Sequence, residues 1–177
     1  NILFVILFIE GIGAYFIYMD VRGSLPGGTQ QELFYAMFHA VSAFCNAGIS
    51  TLSGNMYDPL VADKYNLHFW IAMLIIFGGL GFPIVFNYLK LLHHLLMNGI
   101  KILIGKQKHY IHTPRIINVH TYIVVISTLI LLITGTAFYL FFEYDNTLGD
   151  LPLRGKLANA FLGAVTPRTA GFNVADM

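Results

Sequence analysis

One cysteine in 177 residues, Cys45, leaves no partner for a disulfide within the chain and no thiol pair for a zinc site. Charge is almost as scarce: Asp, Glu, Lys and Arg make up 11% of the residues, where an ordinary soluble domain carries about 25%. A soluble body of this size could not coat itself with so few. Ten Lys and Arg stand against nine Asp and Glu, so no excess of positive charge invites nucleic acid, and none is expected as a partner. Neither a Gly-x-Ser-x-Gly elbow nor a His-Glu-x-x-His pair occurs, which removes two common hydrolase motifs. No covalent cofactor is expected.

What the sequence has instead is apolar length, with 56% hydrophobic residues. A bilayer core about 30 Å thick needs roughly 20 apolar residues in helix. Three runs qualify. The first, over residues 1–19, is already hydrophobic at its start and reads as the cut end of a longer chain. The second, over 67–88, has Trp70 near one end and Lys90 just past the other, as interfacial anchors should be. The third, over 121–142, carries no charge. Two further apolar runs, 33–44 and 157–165, are too short to cross, and each leads at once into small residues. Short apolar helices followed by irregular backbone fit re-entrant segments, because such backbone is tolerated at membrane depth only in protein or beside a wet cavity.

Charge orients these runs. Lys90, Lys101, Lys106, Lys108 and Arg115 share one connection that holds no acid, while the other two connections hold Asp20, Glu32, Asp58, Asp63, Glu143, Asp145 and Asp150. The positive-inside rule makes the basic connection cytoplasmic and puts both short helices on the outer side. Acids there should raise the local cation concentration.

The organisation repeats. Set without a gap, Phe38 to Ser50 aligns with Phe161 to Asn173, matching Phe38 with Phe161, Ala47 with Ala170 and Gly48 with Gly171. The resulting fold class is an all-α membrane protein of parallel repeats, each a span, a re-entrant pore helix, a filter loop and a returning span, arranged about a central pore. A complete repeat occupies 1–92, with its outer span at 1–19, pore helix at 33–44, filter loop at 45–50 and inner span at 67–92. A basic cytoplasmic linker follows at 93–115. A partial repeat fills 116–177, with an outer span at 116–142, a pore helix at 153–165 and a filter loop at 166–173. Its inner span is missing, so the natural chain is expected to continue at both ends.

A dehydrated cation needs oxygen dipoles in place of its water, and backbone carbonyls supply them without fixed charge. Gly48 and Gly171 would let the chain turn carbonyls toward a common axis, because glycine accepts positive φ. Ala47 and Ala170 leave room for close approach, and Ile49 and Phe172 could wedge each loop against neighbouring helices. The C-terminal ends of the short helices add partial negative charge at the same place.

The runs Phe44-Cys45-Asn46-Ala47-Gly48-Ile49-Ser50 and Val165-Thr166-Pro167-Arg168-Thr169-Ala170-Gly171-Phe172-Asn173 resemble the second and third pore loops of the Trk/Ktr/HKT superfamily of potassium transporters. Gly78-Gly79-Leu80-Gly81-Phe82 and His112-Thr113 are similar to that family too. The resemblance implies four repeats around one pore, with potassium as the transported ion. Filter carbonyls would come from Asn46, Ala47, Gly48 and Ile49, and from Thr169, Ala170, Gly171 and Phe172. Family members often carry Phe where Ile49 stands. The resemblance also implies a multi-pass protein of the plasma or inner membrane, the remaining repeats of the same polypeptide as partners, a homodimer, and a cytoplasmic nucleotide-binding regulatory subunit. The basic linker could also dock anionic membrane lipid.

Two charged residues stand out. Glu10 lies mid-span, where an ionisable side chain needs a partner, and a carboxylate bonded to a pore loop or a neighbouring helix is expected. Arg168, three residues before Gly171, is expected to point away from the axis and brace loop carbonyls or an outer acid. Among the seven histidines, His39 and His68 are expected to be interfacial or packed against helices, while His109 and His112 have a possible ligand spacing but no carboxylate or cysteine beside them in the basic loop. The three small residues Gly78, Gly79 and Gly81 with Pro83 suggest close helix approach and a kink. Alternatives are a dimeric cation channel of two half-pores and a sodium-permeable member of the same family. An intramembrane enzyme would need Cys45 with His39, which lie about 240° apart on a helix and do not face each other.

Overall fold

The computed structural model describes residues 2–103, 119–149, 151–168 and 170–174. Six α-helices run in the order α1 (Ile2–Val21), α2 (Gly28–Phe44), α3 (Tyr65–Leu80), α4 (Phe82–Leu103), α5 (Val119–Glu143) and α6 (Leu153–Val165), with short 3-10 turns at Asn55–Tyr57 and Thr166–Arg168. Among the described residues there is no strand. Helices α1 and α5 are each long and apolar enough to cross a membrane. Their exposed faces are hydrocarbon, as at Phe4, Phe8, Ile133 and Phe141, which water would reject and lipid accepts. The chain is an all-α membrane protein.

The chain divides into two units, residues 1–79 with 130–177, and residues 80–129. The first holds the core. Its α1 buries Gly13, Ile17 and Val21, one helical stripe at four-residue spacing. A side chain at Gly13 would overlap the δ-methyls of Leu74, so the missing Cβ lets α3 settle against α1. Phe16 stacks on Trp70 with ring centroids 4.0 Å apart, extending the same contact. After α1 the chain turns at Gly23, whose φ is +77°. The Gly23 amide donates to the carboxylate of Glu32 at 2.5 Å. Glu32 is only 3% exposed, so it is a strut within the protein and not the solvated outer acid its loop position suggested.

Helix α2 begins at Gly28, five residues ahead of the apolar run, and buries Glu32, Tyr35, Ala36, His39, Ala40 and Ala43 along one face. Its opposite face, with Phe34, Met37 and Val41, stays exposed. Helix α6 is the shorter counterpart. Tyr65 of α3 lies over Gly155, and Phe69 of α3 stacks near Phe161 at 6.1 Å. Across α5, Tyr139 covers Gly163, and Gly135 meets the β-carbon of Ala164. Each small residue is a notch that a neighbour fills. Near the start of α6, Lys156 is buried. Its ammonium donates to the Tyr144 carbonyl at 2.9 Å and sits 3.7 Å over the Tyr144 ring, which compensates a charge otherwise costly to bury.

In the second unit, α4 starts after Gly81, where φ is +79°. The region predicted as one span over 67–92 therefore consists of two helices, divided where a left-handed glycine precedes Pro83. Asn87 of α4 donates to the Thr121 hydroxyl of α5 at 3.4 Å. Most of the predicted basic linker past Leu103, with Lys106, Lys108, His112, Thr113 and Arg115, lies outside the described residues, as does Asp150.

Candidate functional site

Helix α2 stops in three backbone bonds: Cys45 N–H to Val41 O at 2.9 Å, Asn46 N–H to Ala43 O at 3.1 Å, and Ala47 N–H reaching back five residues to Ser42 O at 2.9 Å. Asn46 then takes a φ of +54° and Gly48 one of +67°. These left-handed residues reverse the chain and send it back along its own helix. Two side chains of α2 hold it there. The Ser42 hydroxyl donates to Ile49 O at 2.8 Å. His39 faces the Tyr35 carbonyl with Nδ1 at 2.8 Å and the Ser50 hydroxyl with Nε2 at 3.0 Å. A carbonyl can only accept, so Nδ1 carries the proton and Ser50 donates to Nε2. Leu52 N–H donates to the same Ser50 oxygen at 3.1 Å.

The second loop is built alike. After α6, the Thr166 hydroxyl lies 3.0 Å from Leu162 O and 2.9 Å from Phe172 O. Ala170 N–H donates to Thr166 O at 3.1 Å, and Gly171 has a φ of +68°. A hydroxyl at the end of each short helix thus holds the carbonyl that follows the loop glycine, Ile49 O in one case and Phe172 O in the other.

The two loops touch backbone to backbone. A β-carbon on Gly48 would lie 1.8 Å from Ala170 O and 2.6 Å from the Gly171 α-carbon. One placed on Gly171 would lie 3.4 Å from the Gly48 α-carbon, 3.8 Å from Gly48 O and 3.9 Å from Ala47 O. Carbonyl oxygens of Ala47, Gly48 and Ala170 therefore gather in one place. Among the described residues no donor reaches any of these three. The arrangement concentrates partial negative charge without a carboxylate, and suits a cation that has shed water.

Phe172 is 1% exposed and its ring lies 6.3 Å from that of His39, so this side chain does wedge its loop against α2 of the preceding repeat. Ile49 does not. It is 60% exposed and lines an apolar groove of about 450 Å³ with Phe34, Met37, Phe38, Val41 and Cys45, because the loop turns its side chain outward where α2 has no neighbour among the described residues. Asn46 keeps its amide 3.4 Å from Phe44 O. Thr169 and the side chain of Arg168 lie outside the described residues. Glu10 is half-buried on α1, and among the described residues nothing donates to its carboxylate, so the expected hydrogen bond is not formed there. Cys45 is exposed while both ring nitrogens of His39 are engaged elsewhere, so no thiol–imidazole pair assembles.

Three hydroxyl residues to which the sequence pattern gave no separate role, and one of the glycines expected to allow close helix approach, complete the site. Ser42, Ser50 and Thr166 hold the loops, and Gly78 of α3 sits so close that a β-carbon there would lie 1.8 Å from Phe44 O. The signal was available in part, since a hydroxyl residue lies near the end of each short apolar run, Ser42 two residues before Phe44 and Thr166 just after Val165.

The described residues thus define an all-α membrane protein in which two glycine loops, each at the end of a helix, meet backbone to backbone. This chain belongs to the TrkH family of cation transport proteins, which it matches over residues 1–177. It is 36% identical over 174 residues to the Ktr system potassium uptake protein B of Vibrio alginolyticus, covering 95% of this chain and 32% of that protein. It is 33% identical over 151 residues to the protein of the same name from Bacillus subtilis, covering 84% of this chain and 29% of that protein. It is also 33% identical over 152 residues to the potassium/sodium uptake protein NtpJ of Enterococcus hirae, covering 84% and 28%. The chain spans about a third of the length of the curated relatives it matches.

Proposed function

We propose that this chain contributes two of the four loops of a pore that carries potassium across the cell membrane, with backbone carbonyls of Asn46 to Ile49 and of Thr169 to Phe172 as the selectivity filter. The observation that carries the reading is the contact of Gly48 with Ala170 and Gly171, which groups peptide oxygens from both loops where no side chain intervenes. Peptide dipoles can replace a hydration shell, and two tightly held loops keep them at the spacing one ion prefers. Two relatives named as potassium uptake proteins support the choice of ion.

Within this reading the remaining repeats of the polypeptide close the ring. A second copy forms a homodimer, and a cytoplasmic nucleotide-binding subunit regulates it. The relative named for both potassium and sodium favours one second reading, a pore that passes sodium as well.

Flux from the complete protein in liposomes, with potassium, rubidium and sodium compared, decides between them. Potassium and rubidium should pass and sodium should lag. Gly48→Ser and Gly171→Ser should each lower potassium flux and relax discrimination against sodium. Unchanged selectivity in both variants would remove these loops from the filter.

A further inference from the structure

The 3-10 turn Asn55–Tyr57 belongs to the outer connection of the first repeat, yet it reaches the loop of the second. Its backbone is fixed from several sides. Asn55 N–H donates to Leu52 O at 3.2 Å and Tyr57 N–H to Gly54 O at 3.0 Å. Met56 is fully buried, and Gly54 lies so near Asp58 that a β-carbon would sit 2.9 Å from the Asp58 α-carbon. Asn55 itself has a φ of +54°, a conformation Asn tolerates better than most residues. Held this way, its side-chain amide stands 3.4 Å from the carbonyl oxygen of Gly171, 116 residues further along. That oxygen can only accept, so the NH₂ group is the side that faces it.

We infer that Asn55 is a positioning residue for the pore, aiming the Gly171 carbonyl from the outer turn of the preceding repeat. This inference rests on the filter reading above. Gly171 has no side chain and a left-handed backbone, so its peptide has little of its own to fix the direction of the oxygen. Phe172 O is held by Thr166 from within the same repeat, whereas Gly171 O is reached only from outside it among the described residues. At 3.4 Å the amide occupies one lone pair loosely and leaves the other for an ion. Ion preference at the second loop is therefore set partly by the first repeat, and not by the loop sequence alone.

The experiment uses the complete protein in liposomes, with potassium and sodium flux measured side by side and thermal melting recorded for each variant. Asn55→Gly keeps the left-handed turn comfortable and removes only the amide, and Asn55→Asp keeps the shape and removes the donor. Both should lower the potassium-to-sodium preference by about two- to fivefold, the ratio equivalent to one hydrogen bond in the lower half of the usual net strength, as suits a 3.4 Å contact. Total flux should persist, and melting of Asn55→Gly should stay near that of the unchanged protein. Wild-type preference in Asn55→Gly overturns the inference, whatever its melting temperature. Gly171→Ser, run in parallel, separates the two levels. If it alters preference while both Asn55 variants do not, the positioning role alone fails; if it too is silent, the filter reading fails and takes this role with it.

Discussion

His68 of α3 and Asn159 of α6 are joined by a buried 2.7 Å hydrogen bond, ring Nδ1 to amide Oδ1. A carbonyl-type oxygen accepts, so Nδ1 carries the proton. Helix α3 is thus bonded to α6, in the same layer where Tyr65 covers Gly155 and Phe69 meets Phe161.

Breaking that bond should loosen one repeat from the other. His68→Ala or Asn159→Ala leaves a buried polar partner unsatisfied and should destabilise the complete protein by about 1–3 kcal/mol. Thermal melting in detergent reads the loss, and a double variant should cost less than the sum of the two singles. Strict additivity would mean that the two side chains act independently.

The loop glycines should not be equally sensitive. Both sit at positive φ, which costs a residue with a side chain about 1–2 kcal/mol. Gly48→Ala must in addition displace the Ala170 peptide, whose oxygen is 1.8 Å from the new methyl position, while Gly171→Ala meets nothing nearer than 3.4 Å. Potassium flux should therefore fall further in Gly48→Ala. A greater loss in Gly171→Ala would contradict the geometry.

Adjacent glycines of α3 offer a sharper contrast. A methyl at Gly78 would sit 1.8 Å from Phe44 O, whereas one at Gly79 would find only the Asn46 amide, at 3.9 Å. Gly78→Ala should push α3 off the end of α2 and lower both melting temperature and flux. Gly79→Ala should gain slightly in stability, since Ala exceeds Gly in helix preference by about 1 kcal/mol. Equal behaviour of the two variants would show that α3 does not pack on Phe44.

Hydroxyls at the ends of α2 and α6 are expected to serve the loops, Thr166 while also lying 3.0 Å from Leu162 O of its own helix. Ser42→Ala and Thr166→Val each deprive one loop carbonyl of its side-chain donor, Ile49 O or Phe172 O, at about 1 kcal/mol apiece. Rubidium and sodium flux through the complete protein should show relaxed selectivity in both. A change in melting temperature with intact selectivity would confine these hydroxyls to a structural role.

Much of the fold was legible because lipid imposes simple rules. The runs that became α1 and α5 could be recognised by length and apolarity alone, and a glycine after each short apolar helix marked Gly48 and Gly171. The break at Gly81 was harder to place, since a glycine and a proline inside an apolar run fit a gentle kink as well as a new helix. Glu32 falls among the acids expected to draw cations, yet its place in a polar connection says nothing about the Gly23 amide that packs on it and buries it. Ile49 and Phe172 hold matching positions in the two runs, and differ because, among the described residues, Phe172 has α2 to pack against and Ile49 has no such helix.

By itself the sequence determined that this chain lives in a bilayer and that it is helical, since apolar length is a property of order along the chain. Tertiary structure alone decided that the two glycine loops touch, that Ser42 and Thr166 hold them, and that Asn55 reaches across to Gly171. Those relationships join residues as many as 123 positions apart. They depend on directions of single peptide groups, which no pattern of residue types encodes.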